Sequence, residues 1–298
     1  MSIFHSGFVA LVGKPNVGKS TLVNALVGRP ISITSSKPET TRRRVLGVIH
    51  GEGYQIVLVD TPGLAAGHTL LGKKLREMAT SEGMEADMVA FVVDVTHYPT
   101  KEDRAAAEVF SKANCKKVLI ANKVDVHDTA EKVLPYLEAY AALGDFGEVL
   151  PVSAQKGTNL DKFKALMIEA LPEGVAYFPP ESVHDLDKRT RVEELIREQV
   201  LRATRQEVPH AVAVRVEDMK PGDDNPDVTL IRAILYVERD SQRKILIGKK
   251  GEMLKKLGME ARPLLEQELG GRVFLELWVK VKEGWRDRPD WLRALGYE

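Results

Sequence analysis

Residues Gly13-Lys14-Pro15-Asn16-Val17-Gly18-Lys19-Ser20 match the pattern G-x-x-x-x-G-K-[ST], and an apolar run, residues 8–12, leads directly into them. Leu22, Ala25 and Leu26 follow at helical spacing. Strand, glycine-containing loop and helix in that order leave few folds open. The loop must double back and deliver its backbone N–H groups to the start of a helix. Gly13 and Gly18 permit the turn, and the helix N-terminus adds partial positive charge, so the concavity is suited to phosphate oxygens. Lys19 is placed to reach the outer phosphates and Ser20 to ligate Mg²⁺, with Thr21 beside it in the same cradle.

Short β-branched runs continue to alternate with helical patterns up to about residue 171, at 55–59, 88–93, 117–121 and 148–152. This alternation predicts an α/β domain of P-loop type, a mainly parallel sheet with helices on both faces. Residues 44–50 and 54–59 flank Gly51-Glu52-Gly53, short enough for a hairpin, so one antiparallel pair is expected in the sheet.

Three further motifs follow the strands. Asp60-Thr61-Pro62-Gly63 ends the run 56–59, placing Asp60 at the carboxyl end of a strand as a magnesium-site carboxylate, with the Gly63 N–H available to a γ-phosphate. Asn122-Lys123-Val124-Asp125 follows a second apolar strand and selects the base. An ionised Asp125 only accepts hydrogen bonds, and guanine offers two donors on one edge where adenine does not. Lys123 is expected to pack its stem over the base, Asn122 to tie its loop to the phosphate loop, and Ser153-Ala154 to form the opposite wall, with the Ala154 N–H facing guanine O6. The bound species are therefore GTP and GDP with Mg²⁺. Pro38-Glu39-Thr40-Thr41-Arg42 is the candidate segment that closes on the γ-phosphate and metal. Thr41 is favoured as the metal-contacting hydroxyl, with Thr40 as the alternative. Lys19, Thr41 and Gly63 form the expected catalytic set. Leu64 stands where a water-orienting glutamine would serve, so slow intrinsic hydrolysis is expected.

Beyond residue 171 the alternation stops. Prolines at 172, 179 and 180 mark a break, and residues 177–187 read as a linker between a nucleotide-binding domain, 1–176, and a second domain, 188–298. In the second, Val192, Leu195, Ile196, Val200 and Ala203 recur at helical spacing. Strand-like runs at 210–216 and 228–237 follow, then a helix at 241–247, the loop Gly248-Lys249-Lys250-Gly251, a helix to about 269 and a strand at 273–281. Helix-strand-strand-helix-helix-strand with G-x-x-G between the last two helices is the α+β arrangement of a type II KH domain, whose loop clamps about four nucleotides of single strand. Gly248, Lys249, Lys250 and Gly251 are the expected RNA contacts, with Ile245 and Ile247 as an apolar floor. Pro263 is expected to break the last helix in two. Trp278, in a strand, is expected in the core, and Trp285 and Trp291 are expected to anchor the tail.

Composition bounds the rest. Forty-three Lys and Arg balance 43 Asp and Glu, so only local charge informs. Residues 239–256 carry seven basic and two acidic side chains, a basic face hidden in a neutral total. One cysteine, Cys115, allows no intramolecular disulfide and no zinc cluster, consistent with a reducing compartment. No apolar run reaches the roughly 18 residues that span a bilayer. A soluble, cytoplasmic monomer is expected, with no DNA partner.

Through Gly-Lys-Pro-Asn-Val-Gly-Lys-Ser, Thr-Thr-Arg, Asp-Thr-Pro-Gly, Asn-Lys-Val-Asp, Ser-Ala and Gly-Lys-Lys-Gly, the chain resembles the Era family of bacterial GTPases with a C-terminal type II KH domain. The resemblance implies binding near the 3′ end of 16S ribosomal RNA, a role in maturation of the 30S subunit, and peripheral membrane association in some settings. The alternative is a GTPase whose C-terminal domain is a protein-interaction or membrane-linked regulatory module.

Overall fold

The computed structural model describes residues 3–35, 37, 40–64, 69–222 and 225–297. Pro38 and Glu39 of the candidate switch lie outside the described residues. The chain divides between Asp185 and Leu186 into two compact units, except that Thr69–Leu71, at the start of α2, group with the second.

The first unit contains β1 (His5–Val12), α1 (Lys19–Val27), β2 (Val45–Gly51), β3 (Tyr54–Asp60), α2 (Leu70–Glu85), β4 (Met88–Asp94), α3 (Lys101–Ser111), β5 (Lys116–Asn122), α4 (Leu134–Ala141), β6 (Glu148–Pro151) and α5 (Leu160–Ala170). Its sheet runs β2-β3-β1-β4-β5-β6, parallel throughout except for the expected hairpin pair β2-β3. Every residue of β4 is buried, because a central parallel strand is covered on both faces and so reads as a continuous apolar run. The parallel register sets Leu11 opposite Asp60 and Asp94 opposite Asn122. It thereby aligns the loops after β1, β3, β4, β5 and β6 along one rim of the sheet, where open α/β sheets take ligands.

Most of the stretch expected as a linker lies on this unit. Ser6 N donates to Pro172 O at 3.0 Å and Gly174 N to Phe4 O at 2.9 Å, drawing the chain along the start of β1. Gln55, fully buried on β3, then takes hold of it. Its Oε1 accepts from Tyr177 N at 2.7 Å and Phe178 N at 3.0 Å, while its Nε2 donates to Phe178 O at 2.8 Å. Farther on, residues 182–185 pair with the sheet edge. Val48 N donates to Val183 O at 3.0 Å, Leu46 N donates to the Asp185 carboxylate at 2.9 Å, and His50 Nε2 meets Ser182 O at 2.8 Å. The physical reason is that β2 is an edge strand whose outward N–H groups need acceptors. The prolines mark a segment that is not regular, but it is nonetheless hydrogen-bonded.

The second unit comprises α6 (Lys188–Ala203), α7 (Val208–Ala211), β7 (Ala213–Pro221), β8 (Val228–Val237), α8 (Asp240–Ile247), α9 (Glu252–Leu269), β9 (Arg272–Val281) and α10 (Pro289–Ala294). Asp187 caps α6 by accepting from Thr190 N at 2.9 Å. The sheet order is β7-β8-β9, with β7-β8 antiparallel and β8-β9 parallel. Val192, Ile196 and Val200 of α6 and Leu257, Ala261 and Leu265 of α9 pack on Ile231, Ala233 and Leu235 of β8.

Three expectations are corrected here. The run 210–216 begins as the short helix α7, since Pro209 suits a first helical turn, and the strand starts at Ala213. Pro263 does not divide the last long helix; α9 is a single element with the proline inside it. Trp278 is not in the core but 60 % exposed, because alternation along β9 puts Val273, Leu275 and Leu277 inward and Phe274 and Trp278 outward. Trp285 is fully buried, with its indole N–H donating to Ala211 O at 2.9 Å.

Replacing Gln55 by Leu would strand two N–H groups and one carbonyl of the 177–178 segment. The expected result is a loss of about 2–4 kcal/mol in urea denaturation, together with new protease cleavage near Tyr177. Unchanged stability and cleavage would show that the segment holds without Gln55.

Candidate functional site

At the end of β1 the chain enters the phosphate loop with Gly13 at φ 144°, where a side chain would strike the Val92 carbonyl at 2.3 Å. Gly18 starts α1 at φ 99°, and a Cβ there would meet the Asn122 amide at 2.3 Å. Both glycines are therefore demanded by space as well as by backbone angle. Lys19 is buried, with Nζ donating to the carbonyls of Gly13 at 3.1 Å and Lys14 at 3.0 Å. Burial lowers the Lys19 ammonium from its ordinary range to about 8, against the opposing pull of Asp60.

Three oxygen-bearing side chains converge beside it. Ser20 Oγ donates to Asp60 Oδ2 at 2.7 Å and lies 3.0 Å from Thr41 Oγ1. Burial pushes the Asp60 carboxyl upward, opposed by the Ser20 hydrogen bond and by Lys19. Asp60 Oδ1 is buried with no hydrogen-bond partner among the described residues. Thr40 turns elsewhere, donating to Lys37 O at 2.6 Å. Of the two candidate threonines, Thr41 is thus the one gathered with Ser20 and Asp60. The Gly63 backbone packs on Pro15, with room for no side chain, and Leu64 N donates to Gly13 O at 3.2 Å. A cavity of about 590 Å³ opens between these groups, lined by Pro15, Asn16, Gly18, Lys19, Ser20, Thr21, Thr40, Thr41, Gly63 and Lys123, with Ile33, Thr34 and Ser35 on the switch side.

Asn122, at the end of β5, joins three loops. Its Nδ2 donates to Val17 O at 2.8 Å, and its Oδ1 accepts from Ala154 N at 3.0 Å. The Ala154 amide, expected to face guanine O6, is committed to Asn122 in this structure. Lys123 donates to Asn16 O at 2.8 Å and to Asp94 Oδ2 at 2.5 Å. Burial alone would raise the Asp94 carboxyl, but hydrogen bonds from Lys123 and Thr96 hold it below its ordinary range. Asp125, in a 3₁₀ turn over Val124–Val126, is exposed and is not among the residues lining the cavity. Ser153 is buried, its hydroxyl accepting from Lys156 N at 3.0 Å, so it shapes its loop.

Two participants were not anticipated. Asp94 closes β4 just as Asp60 closes β3, and its place after an apolar run was the available signal. Asp103 accepts from Lys14 Nζ at 2.8 Å while also completing a capping box with Thr100 on α3. The Lys14 side chain therefore braces the loop from behind, while its carbonyl receives Lys19. Only distant elements brought together reveal that role.

In the second unit, Gly248 at φ 73° and Gly251 at φ 84° bound the loop, with Lys250 also left-handed at φ 52°. A Cβ on Gly248 would strike Met253 at 2.7 Å, whereas Gly251 faces open space. Lys249 and Lys250 are exposed. A groove of about 370 Å³ runs from Gly251 between α9 and β9, lined by Leu254, Lys255, Gly258, Met259, Arg262, Val273, Phe274, Leu275 and Leu277. Ile245, exposed, and Ile247, half-buried, are not among its lining residues. Apart from Gly251, the groove is lined by residues of α9 and β9.

A phosphate loop, an oxygen-rich cluster and a base-reading Asn-Lys-x-Asp on one sheet rim, with a G-x-x-G domain following, define a guanine-nucleotide hydrolase carrying an RNA-binding type of module. A family profile described as 50S ribosome-binding GTPase matches residues 8–123, and a KH domain profile matches 207–286. The chain is 44 % identical to GTPase Era of Geotalea daltonii over 99 % of its length and 98 % of that protein's, and 40 % identical to GTPase Era of Heliobacterium modesticaldum over 100 % and 99 %. It superposes on a crystal structure of Era in complex with MgGDPNP and nucleotides 1506–1542 of 16S ribosomal RNA with a TM-score of 0.96 at 40 % identity, covering 99 % of both chains. Aquifex aeolicus Era bound to GDP·AlF4⁻ gives a TM-score of 0.95 at 41 % identity, again over 99 % of both. The chain belongs to the Era family of GTPases.

Asp125→Asn should weaken GTP binding about 100-fold or more while improving binding of xanthosine triphosphate, since the amide reverses one hydrogen bond to the base edge. Competition binding of the two nucleotides measures it, and unchanged guanine affinity would remove Asp125 from the base site.

Proposed function

We propose that this chain is a GTP-hydrolysing switch that binds 16S ribosomal RNA near its 3′ end through the Gly248–Gly251 loop and its groove, and acts in assembly of the small ribosomal subunit. The observation that carries the reading is the superposition, over 99 % of both chains, on Era in complex with MgGDPNP and that RNA segment. The basic, left-handed loop between α8 and α9 supports it, since close phosphate approach needs glycine and attraction needs lysine. A cytoplasmic location goes with such a partner, and among the described residues no helix is long and apolar enough to cross a membrane.

In the nucleotide site, Lys19 and the N–H groups of the phosphate loop bind the phosphates, and Asp125 orients the base. Ser20, Thr41 and Asp60 would hold Mg²⁺. The donor set is all oxygen, as a hard cation prefers, and the buried Asp60 Oδ1 has no hydrogen-bond partner among the described residues. When bound, the ion supplies charge neutralisation at the phosphates. Leu64 is tied by its backbone to Gly13 and packs its side chain against the core, so it offers no group to polarise water. Intrinsic turnover is accordingly slow, on the scale of ~10⁻⁴ to 10⁻² s⁻¹ or below.

RNA affinity in the presence of GDPNP should exceed that with GDP by about 5- to 150-fold, the usual range of coupling between two sites. Filter binding with a 3′-terminal 16S fragment measures this, and equal affinities would dismiss the switch. Crosslinking should give a discrete footprint that Lys249→Ala/Lys250→Ala abolishes. No footprint from the parent chain would turn the second domain into a protein-interaction module.

A further inference from the structure

The apolar run of β4 ends in a carboxylate, Asp94, and the fold buries it. A buried carboxylate is costly unless its oxygens are met by donors. Asp94 Oδ1 accepts from Thr96 N at 3.0 Å and from Thr96 Oγ1 at 2.7 Å. Asp94 Oδ2 accepts from Lys123 Nζ at 2.5 Å, while His97 Nε2 stands off at 4.0 Å. The two oxygens thus have separate duties. One is satisfied by the start of the β4–α3 connection, and the other by the lysine of Asn122-Lys123-Val124-Asp125.

Lys123 is held at both ends. Its backbone sits at φ 70°, in the left-handed region that residues with a Cβ adopt rarely, and its carbonyl accepts from Val126 N at 3.2 Å. Its ammonium, besides meeting Asp94, donates to Asn16 O of the phosphate loop at 2.8 Å. Between these ends the side chain lines the cavity together with Asn16 and Gly18. The two acceptors at the ammonium are not equal. Asn16 offers a neutral carbonyl, whereas Asp94 offers a charge-assisted bond of about twice the strength.

We propose that Asp94 is a positioning residue for guanine-nucleotide binding: it latches the Lys123 ammonium so that the lysine stem stays closed over the face of the base, and opening of this ion pair sets how fast nucleotide leaves. This inference rests on the reading that places the base at Asn122–Asp125. The latch acts through the face of the base, not through its edge or the phosphates. It therefore retains GTP, GDP and inosine diphosphate, which lacks the exocyclic amine, by the same factor, and does nothing for a bare chain of phosphates.

Asp94→Asn is the informative variant, because its amide oxygen can keep both Thr96 bonds while its amide nitrogen turns a donor toward the ammonium. In the full chain with Mg²⁺, stopped-flow release of methylanthraniloyl-labelled GDP, GDPNP and inosine diphosphate should quicken about tenfold, the difference between a charged and a neutral acceptor, and by one factor for all. Tripolyphosphate, which has no base, should bind with parental affinity. Lys123→Met keeps an apolar stem but has no ammonium to latch, so adding Asp94→Asn to it should change release by no more than about twofold. Asp94→Ser, which removes the carboxylate without bulk, enters the same cycle should the amide variant not fold. Parental release by the folded variant would overturn the latch. A full tenfold gain on top of Lys123→Met would show that Asp94 acts by another route, and equal weakening of tripolyphosphate would reduce it to support of the whole rim. Asp125→Asn with parental GDP affinity would instead dismiss the base site itself, an outcome distinguishable from failure at Asp94.

Discussion

The nucleotide site depends on one side chain amide. Asn122 donates to the phosphate loop and accepts from the loop after β6, so a single residue sets the spacing between those two loops. Its donation is possible only because Gly18 has no Cβ, and Gly18 must be glycine for α1 to begin at φ 99°. Backbone angle, clearance and hydrogen bond are therefore one constraint. Lys123, next in sequence, adds a second tie to the same loop at Asn16 and a third to Asp94. A nucleotide meets a rim already braced, so less of its binding energy goes into ordering the protein.

This bracing explains what could be read in advance. The phosphate loop, Asp60, Asn122 and the Gly-Lys-Lys-Gly loop are local patterns whose chemistry follows from a strand before them or a helix after them, and the alternation of strand and helix was enough to place them. Other features depended on partners remote in sequence. Nothing around Lys14 announces that its ammonium would reach Asp103, and nothing in Ser153-Ala154 shows that the Ala154 amide would be used by Asn122. Between Thr40 and Thr41 spacing could not decide, since only the folded chain turns one toward Lys37 and the other toward Ser20. Trp278 was misplaced for a different reason. Large aromatic residues are usually buried, and period-two alternation assigns a face only when the inward set is known.

The second unit shows the same division between pattern and placement. Its element order was legible because helical and strand periodicities differ, and the loop stood out through its glycines and lysines. The groove was not. It is made by Gly258 on α9, whose missing side chain leaves space opposite Leu277, and by the inward and edge residues of a strand some twenty positions later. A glycine inside a helix ordinarily costs ~1 kcal/mol relative to alanine. Here it widens a channel.

The segment from Pro172 to Asp185 also changes where the nucleotide-binding domain ends. Residues 182–185 occupy the outer edge of β2, the strand that follows the candidate switch, so the sheet there has no bare rim. A domain cut at residue 176 would uncover the amides of Leu46 and Val48 and leave the apolar run 45–49 with an open edge, the geometry that recruits foreign strands. One residue, Leu186, separates Asp185 from the Asp187 cap of α6, a leash of at most ~7 Å. For anyone exchanging the RNA-binding module for another, the seam therefore lies at Leu186, and the fourteen residues before it travel with the hydrolase.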